Sequence, residues 1–155
     1  MNIVKAALPQ FLNFKPALDL VRVGNDNDGG YLISRKDIEY SDTLIGIGLS
    51  NDWSFEMDFC SYMDIPTIVY DGSVSKKYFF NQIIKSIPRL DKPNMFFNSI
   101  KTYLSYLSFF KNKHKHIEKF VGVYNDNNFC NINSVFKETD SSKIFLKIDI
   151  EGGEY

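Results

Sequence analysis

A group of carboxylates follows the last apolar run of the sequence. Residues 144–150 are mostly apolar and partly β-branched, and two glycines follow at positions 152 and 153, which is typical of a buried strand. Asp149 and Glu151 are two residues apart, so on a strand both face the same side. Ligands and chemistry gather beyond the carboxyl ends of strands in open α/β sheets. We therefore interpret Asp149 and Glu151 as candidate catalytic residues, with a strand-end salt bridge to Lys147 as the alternative.

A second signal is the pair of glycines that ends an earlier apolar run. Gly46 and Gly48 belong to the predicted strand at residues 43–48, and a helical pattern follows them. Glycines in this place let a cofactor approach the backbone, and the unpaired N–H groups of a helix start bind anions. A simple tight turn is an equally good interpretation of these glycines taken alone. Asn51 stands where a dinucleotide fingerprint needs a third small residue, which disfavours a pyrophosphate loop.

Acids and amides also end two further predicted strands. Asp71 lies close to the ~20-residue spacing after the glycines at which an acid binds ribose hydroxyls in Rossmann-type sites. A carboxylate there can accept hydrogen bonds from both hydroxyls, and a turn acid before Gly72 is the less favoured alternative. Asn125 and Asp126 follow residues 120–124 and are candidate contacts to an adenine amino group. Both are also ordinary turn-forming residues.

These residues need a scaffold of alternating strands and helices. Residues 21–24 and 31–33 flank a segment of Asn, Asp and Gly, which predicts a β-hairpin or a sharply turned loop. The later predicted strands are 43–48, 67–72, 120–124 and 144–150, and the helical stretches are 52–63 and 76–118, the latter interrupted by Pro88 and Pro93. This alternation is typical of βαβ units in a parallel sheet. We expect one domain, with a lead-in and hairpin over residues 1–40 and the α/β part over 41–155.

Composition limits the classes of partner. The 155 residues are 44% hydrophobic and 24% charged with a formal net charge of −1, so nothing in the charge favours nucleic acid as a partner. No apolar run approaches ~18 residues, so we expect no membrane span and a cytoplasmic protein. Cys60 and Cys130 lack metal-ligand spacing and are predicted to be free, buried thiols. His114 and His116 lie among lysines, which favours a solvated helix end over a metal site.

Taken together, four blocks of the sequence resemble the FkbM family of S-adenosylmethionine-dependent methyltransferases. The most specific block, L-K-I-D-I-E-G-G-E at residues 146–154, is similar to the family signature L-K-x-D-x-E-G-x-E. The other three are R-V-G to D-G-G-Y at residues 22–31, I-G-I-G to S-F-E at residues 45–56, and V-Y-D at residues 69–71. The resemblance is weakest across residues 76–118.

The resemblance implies a class I methyltransferase fold, a Rossmann-like parallel sheet with flanking helices that binds S-adenosyl-L-methionine at strand ends. Carried over by position, Gly46 and Gly48 would line the methionine end of the cofactor, and Asp71 would hold the ribose. Asp149 and Glu151 would face the transferring methyl group or the acceptor, and either carboxylate could take the proton of an acceptor hydroxyl. Family members commonly O-methylate hydroxyls, including sugars of surface polysaccharides and natural products.

The family fold continues beyond the D-x-E-G-x-E block, so we expect residues 1–155 to be an incomplete methyltransferase domain, truncated after the fourth strand. Residues 41–155 would form its cofactor-binding half. An unpaired apolar sheet edge would result, and self-association through that edge is a further hypothesis. One alternative is a non-catalytic cofactor-binding or interaction module. Another is a nicotinamide-dependent oxidoreductase half-domain, which Asn51 and the terminal acids disfavour.

Overall fold

The computed structural model describes residues 18–26, 29–89 and 93–150 and has an α/β fold, as the sequence predicts. The strands are β1 (Leu20–Val23), β2 (Tyr31–Ser34), β3 (Thr43–Ile47), β4 (Thr67–Tyr70), β5 (His114–Ile117), β6 (Phe120–Gly122), β7 (Phe129–Asn131) and β8 (Ile144–Ile148). The helices are α1 (Arg35–Tyr40), α2 (Ser54–Tyr62), α3 (Lys76–Ser86), α4 (Pro93–Phe109) and α5 (Ile132–Lys137), with a 3-10 turn at Ile87–Arg89.

Four strands form the central sheet in the order β5–β4–β3–β8, and all of them run parallel. In chain order β3 comes first, β4 and β5 follow on one side of it, and β8 lies on its other side. This matches the first four strands of a doubly wound sheet, whose strand order reverses at this point. A crevice opens where the order reverses. A ligand site is therefore expected at the carboxyl ends of β3 and β8.

Strands β3 and β4 are buried along their whole length. Parallel strands covered on both faces are near-continuous apolar runs, as these two are. Helix α2 covers one face, where Phe55 and Phe59 are buried and the Phe59 ring lies 4.8 Å from that of Phe145 in β8. On the opposite face, Ile45 of β3 clusters with Val135 of α5. The predicted helix over residues 52–63 is thus confirmed by α2.

Helices α3 and α4 pack beside the sheet around an aromatic cluster. The Trp53 ring lies 5.6 Å from Phe79 of α3 and 5.8 Å from Tyr106 of α4, in edge-to-face geometry. Such pairs contribute beyond their buried area. The helical character predicted for residues 76–118, with breaks near Pro88 and Pro93, is confirmed as far as residue 109.

The N-terminal hairpin is also confirmed. Strands β1 and β2 are antiparallel, with Val23 opposite Tyr31. The chain after β1 is attached to α2 and to the loop before it, because the N–H of Gly24 donates to Asp58 Oδ2 at 3.0 Å and Asn25 Nδ2 donates to Asp52 Oδ2 at 2.7 Å. The hairpin turn is thereby held at the carboxyl edge of the sheet.

The third strand of the sheet differs from the prediction. The strand predicted at residues 120–124 exists as β6 over residues 120–122, but it pairs with β7 outside the central sheet, so its predicted place in the main parallel sheet is wrong. The strand beside β4 is β5, and the solvated helix end predicted for His114 and His116 is therefore wrong too. The His114 ring stacks on Phe109 of α4 at 4.7 Å. Ring packing against α4 stabilises a strand whose own residues are mostly polar.

Strand β8 is an edge of the central sheet within the described part of the chain. Ile148 is 47% exposed, and Ile144, Phe145 and Leu146 are half-buried. An unpaired edge of this kind can pair with another strand. Self-association through this edge stays a prediction.

Both cysteines are free thiols, Cys130 buried and Cys60 half-buried. Burial raises the pKa of each thiol, which favours the protonated form over the reactive thiolate. Of the helices in the described ranges, none has the length and apolar character needed to span a membrane.

Candidate functional site

A cleft of about 720 Å³ opens at the carboxyl ends of β3, β4 and β8. The loops after β3 and β4, the hairpin turn and the end of β8 surround it. Its described lining residues are Gly29, Ile47, Gly48, Leu49, Ser50, Asn51, Asp52, Tyr70, Asp71, Ser73, Phe120, Val121, Phe129, Lys147, Asp149 and Ile150. The volume lies within the range of roughly 300–1,000 Å³ that is common for small-molecule sites. This position is the crevice where doubly wound sheets bind ligands.

Gly48 determines the path of the loop after β3. Its φ of +94° lies in the left-handed region that favours glycine. The Gly48 N–H donates to the carbonyl oxygen of Tyr70 at 2.9 Å, and a Cβ at this position would collide with the carbonyl oxygen of Asp149. The backbones that follow β3, β4 and β8 converge here. Gly48 therefore lines the cleft, where the sequence predicted a cofactor-binding glycine.

Asp71 ends β4 and holds the loop after β3. Its Oδ2 accepts from the N–H groups of Leu49 at 2.8 Å and Ser50 at 2.7 Å. Its Oδ1 accepts from the N–H of Ser73 at 2.7 Å and from the Ser73 hydroxyl at 2.5 Å. Burial opposes ionisation of this carboxyl, but these hydrogen bonds outweigh it and hold the pKa of Asp71 below its usual range. A carboxylate has about four lone-pair positions, so a ribose hydroxyl would have to displace one of these donors.

Two hydrogen bonds in series, through the side chains of His116 and Tyr106, support the backbone of Asp71. His116 Nε2 lies 3.1 Å from the Asp71 carbonyl oxygen, and His116 Nδ1 lies 2.8 Å from the Tyr106 hydroxyl. A carbonyl oxygen can only accept, so Nε2 carries the proton, Nδ1 accepts and Tyr106 donates. Burial lowers the pKa of His116 and raises that of Tyr106 to about 12, which keeps both groups neutral at pH 7. No pattern in the sequence predicts these two hydrogen bonds.

Asp149 lies at the end of β8 with an exposed side chain. Its Oδ2 accepts a hydrogen bond from the Tyr31 hydroxyl at 2.8 Å. Tyr31 belongs to β2, and its ring packs edge-on against Phe55 of α2, with centroids 5.5 Å apart. The hairpin thus orients the carboxylate that the sequence predicts as catalytic. Glu151, the second predicted catalytic residue, lies outside the described residues.

An ion pair that the sequence did not predict lies at the inner end of the cleft. Lys147 Nζ lies 3.2 Å from Glu56 Oε1, and the exposed fractions of the two side chains are 8% and 0%. Burial raises the pKa of Glu56, an effect that the charge of Lys147 partly offsets. Glu56 Oε2 has no hydrogen-bond partner among the described residues. The sequence allows, as an alternative, a salt bridge between Lys147 and a strand-end acid such as Asp149. In the structure Lys147 pairs with Glu56 of α2 instead.

Gly46 lies outside the described cleft lining. A Cβ on this residue would come within 3.2 Å of Glu56 Oε1 and 3.3 Å of a Val69 methyl group. The lack of a side chain here lets the buried Glu56 carboxylate approach β3. In this structure Gly46 therefore serves the packing of α2 on the sheet, although the sequence predicted a cofactor contact.

Asn125 and Asp126 also lie outside the described lining, in the turn between β6 and β7. Asp126 Oδ1 accepts from the N–H groups of Asn128 and Phe129, each at 2.7 Å. Asn125 Oδ1 accepts from the N–H of Asn131 at 2.8 Å. The strand that these residues follow, β6, lies outside the central sheet, and Phe120 and Val121 of β6 line the cleft whereas these turn residues do not. Their turn-forming role is the one that the structure displays.

Comparisons with protein-family models, with curated proteins and with solved structures give no match to this chain. The resemblance to the FkbM family therefore rests on the sequence blocks alone.

Proposed function

We propose that this chain is an S-adenosylmethionine-dependent O-methyltransferase domain of the FkbM type. The observation that carries the proposal is the convergence of the Gly48 loop and the Asp149 carboxylate at the reversal point of a parallel sheet. This is the crevice in which doubly wound folds bind nucleotide-containing ligands. The four sequence blocks that resemble the family coincide with the hairpin, the loop after β3, the end of β4 and the end of β8, all of which border that crevice.

The residues of the cleft are compatible with S-adenosylmethionine. The cleft is large enough for a small cofactor, and it combines an apolar side, from Phe120, Val121 and Phe129, with three acids. Acids suit a ligand that carries a sulfonium and an ammonium group. When bound, S-adenosylmethionine supplies an electrophilic methyl group on sulfur.

Asp71 has two tasks in this proposal. It keeps the Gly48 loop in place through the N–H groups of Leu49 and Ser50. It also binds the ribose, whose hydroxyl replaces that of Ser73 on Oδ1. The exchange replaces one hydroxyl donor by another. Because Ser73 is exposed, its displaced hydroxyl can hydrogen-bond to water instead.

Asp149 is the candidate base. Tyr31 occupies Oδ2, which leaves Oδ1 for the proton of an acceptor hydroxyl. An alcohol is a poor nucleophile, and positioning it against the methyl group provides much of the rate enhancement in a displacement of this kind. We propose a sugar hydroxyl of a surface polysaccharide or natural product as the acceptor, by resemblance to the family.

Calorimetric titration of the 155-residue chain with S-adenosylhomocysteine and with NAD tests the proposal. We expect saturable binding of S-adenosylhomocysteine, no binding of NAD, and loss of binding in Asp71→Ala. Binding of NAD alone would favour the nicotinamide-dependent alternative. Binding of neither ligand by a folded chain would overturn the proposal and leave the non-catalytic module.

A further inference from the structure

Lys147 is the one cationic side chain among the described lining residues of the cleft. The other charged residues of that lining are Asp52, Asp71 and Asp149. A single buried ammonium group in a cleft with three acids is a distinctive electrostatic feature. Its hydrogen-bonding state decides what it can bind.

The three acids already accept hydrogen bonds from the protein. Asp71 accepts four, as described above, and Asp149 accepts one from Tyr31. Asp52 accepts from Asn25 Nδ2 at 2.7 Å and from the Ser54 N–H at 2.8 Å. The acids are thus held in place largely by donors of neighbouring segments around the cleft.

Lys147 is held differently. An ammonium group has three N–H donors, and among the described residues the one acceptor within hydrogen-bond distance is Glu56 Oε1. The rings of Phe55 and Tyr31 lie 5.2 and 5.9 Å from Nζ, which confines the group without accepting conventional hydrogen bonds. Glu56 is fully buried and does not line the cleft, whereas Lys147 does. Lys147 therefore presents spare donors at the inner end of the cleft.

From this arrangement we propose that Lys147 binds the carboxylate of the cofactor's methionine moiety, an inference that rests on the proposed function. A carboxylate is the group whose charge and acceptors match a confined ammonium with unused donors. Glu56 holds the lysine at the inner end of the cleft and acts as a positioning residue. The acids that line the same cleft then suit the positive groups of the same ligand.

The test compares two ligands that differ by one group, S-adenosylmethionine and decarboxylated S-adenosylmethionine. Affinities of the full chain are measured by calorimetry for the wild type and for Lys147→Met, which keeps an unbranched side chain of similar shape and removes the ammonium group. We expect the wild type to prefer the carboxylated ligand by about tenfold or more, the scale of one charge-assisted hydrogen bond. Lys147→Met should remove that preference and leave the affinity for the decarboxylated ligand nearly unchanged.

Two further variants keep the test decisive. The double variant Lys147→Met with Glu56→Gln leaves no unpaired buried carboxylate. It is used in place of Lys147→Met if that variant alone does not fold. Lys143→Met is the matched control, because Lys143 precedes the same strand but is exposed and stacks on Tyr40. A preference that persists in a folded Lys147 variant, or an equal loss of affinity for both ligands, would overturn the inference. Absence of binding by the wild type to either ligand would instead overturn the proposed function on which the inference rests.

Discussion

The Tyr31 hydroxyl donates to Asp149 Oδ2 at 2.8 Å and joins the N-terminal hairpin to the end of β8. The two residues are 118 positions apart in the chain. Tyr31→Phe removes this bond and keeps the ring that packs on Phe55. We expect a loss of about 1 kcal/mol in the free energy of unfolding, the usual net value of one hydrogen bond, and faster amide exchange in β1 and β2.

Hydrogen exchange read by mass spectrometry, together with urea denaturation, measures both effects. Tyr124→Phe is the control, because Tyr124 is an exposed tyrosine with no described hydrogen bond from its hydroxyl. Equal exchange rates for the hairpin in Tyr31→Phe and in the wild type would contradict the role assigned to this bond.

Gly48→Ala should be more damaging than Gly46→Ala. At Gly48 the added Cβ faces both the left-handed backbone and the carbonyl oxygen of Asp149. The left-handed conformation alone costs roughly 1–2 kcal/mol for a residue with a Cβ, and the collision adds to it. Gly46 has no positive φ, and its Cβ would meet atoms at 3.2 Å or more. Denaturant unfolding of both variants tests the order, and a larger loss in Gly46→Ala would contradict the loop geometry.

Asp71 should make stability depend on pH in acid. The pKa of its carboxyl is lowered in the folded state from 3.8, because the hydrogen bonds from the two loops outweigh its burial. The folded chain therefore binds this proton less readily than the unfolded chain does. Its contribution is present above pH 3.8 and is lost as the pH falls through the folded-state pKa.

In Asp71→Asn this part of the pH dependence should be absent, and stability at neutral pH should be lower. The measurement is the free energy of unfolding in urea across the acid range. Asp140→Asn, at an exposed position outside the described cleft lining, is the matched control. An Asp71→Asn curve parallel to that of the wild type would show that Asp71 does not anchor the loop.

Lys147→Met alone should cost about 3 kcal/mol or more, because it leaves Glu56 as an unpaired buried charge. Burial already raises the pKa of Glu56 above 4.5, so the folded state favours the protonated acid. The cost should therefore be small below pH 4.5 and grow as the pH rises through the folded-state pKa. The double variant with Glu56→Gln should recover most of the loss at neutral pH. If the loss in the double variant equalled the sum of the losses in Lys147→Met and in Glu56→Gln, the pairing would be contradicted.

Local patterns were sufficient to predict most elements of the sheet. Strands β3, β4 and β8 are apolar runs bounded by turn residues, and the face of α2 repeats Phe55 and Phe59 at helical spacing. Strand β5 has no such pattern. It forms because His114 stacks on Phe109 and His116 bonds to Tyr106, contacts that depend on how α4 returns to the sheet. The apolar residues at 120–122 were then free to pair with β7.

The site was predictable to a similar extent. Strand ends placed Gly48, Asp71 and Asp149 at one edge, because parallel strands finish on the same side of a sheet. The Glu56–Lys147 pair spans 91 positions and leaves no local pattern. The use of Asp71 as a loop anchor also depends on the folded backbone, since N–H groups of Leu49 and Ser50 carry no side-chain signal in the sequence.

The most direct measurement is chemical-shift mapping of the nitrogen-15-labelled chain during titration with S-adenosylhomocysteine. We predict saturable shifts in the amides of Gly48, Leu49, Ser50 and Asp149, which border the cleft. The amides of α1, whose residues lie outside the described cleft lining, should stay unchanged. Unchanged amides around the cleft at a saturating concentration, or shifts confined to another surface, would contradict a cofactor site at the carboxyl ends of β3, β4 and β8.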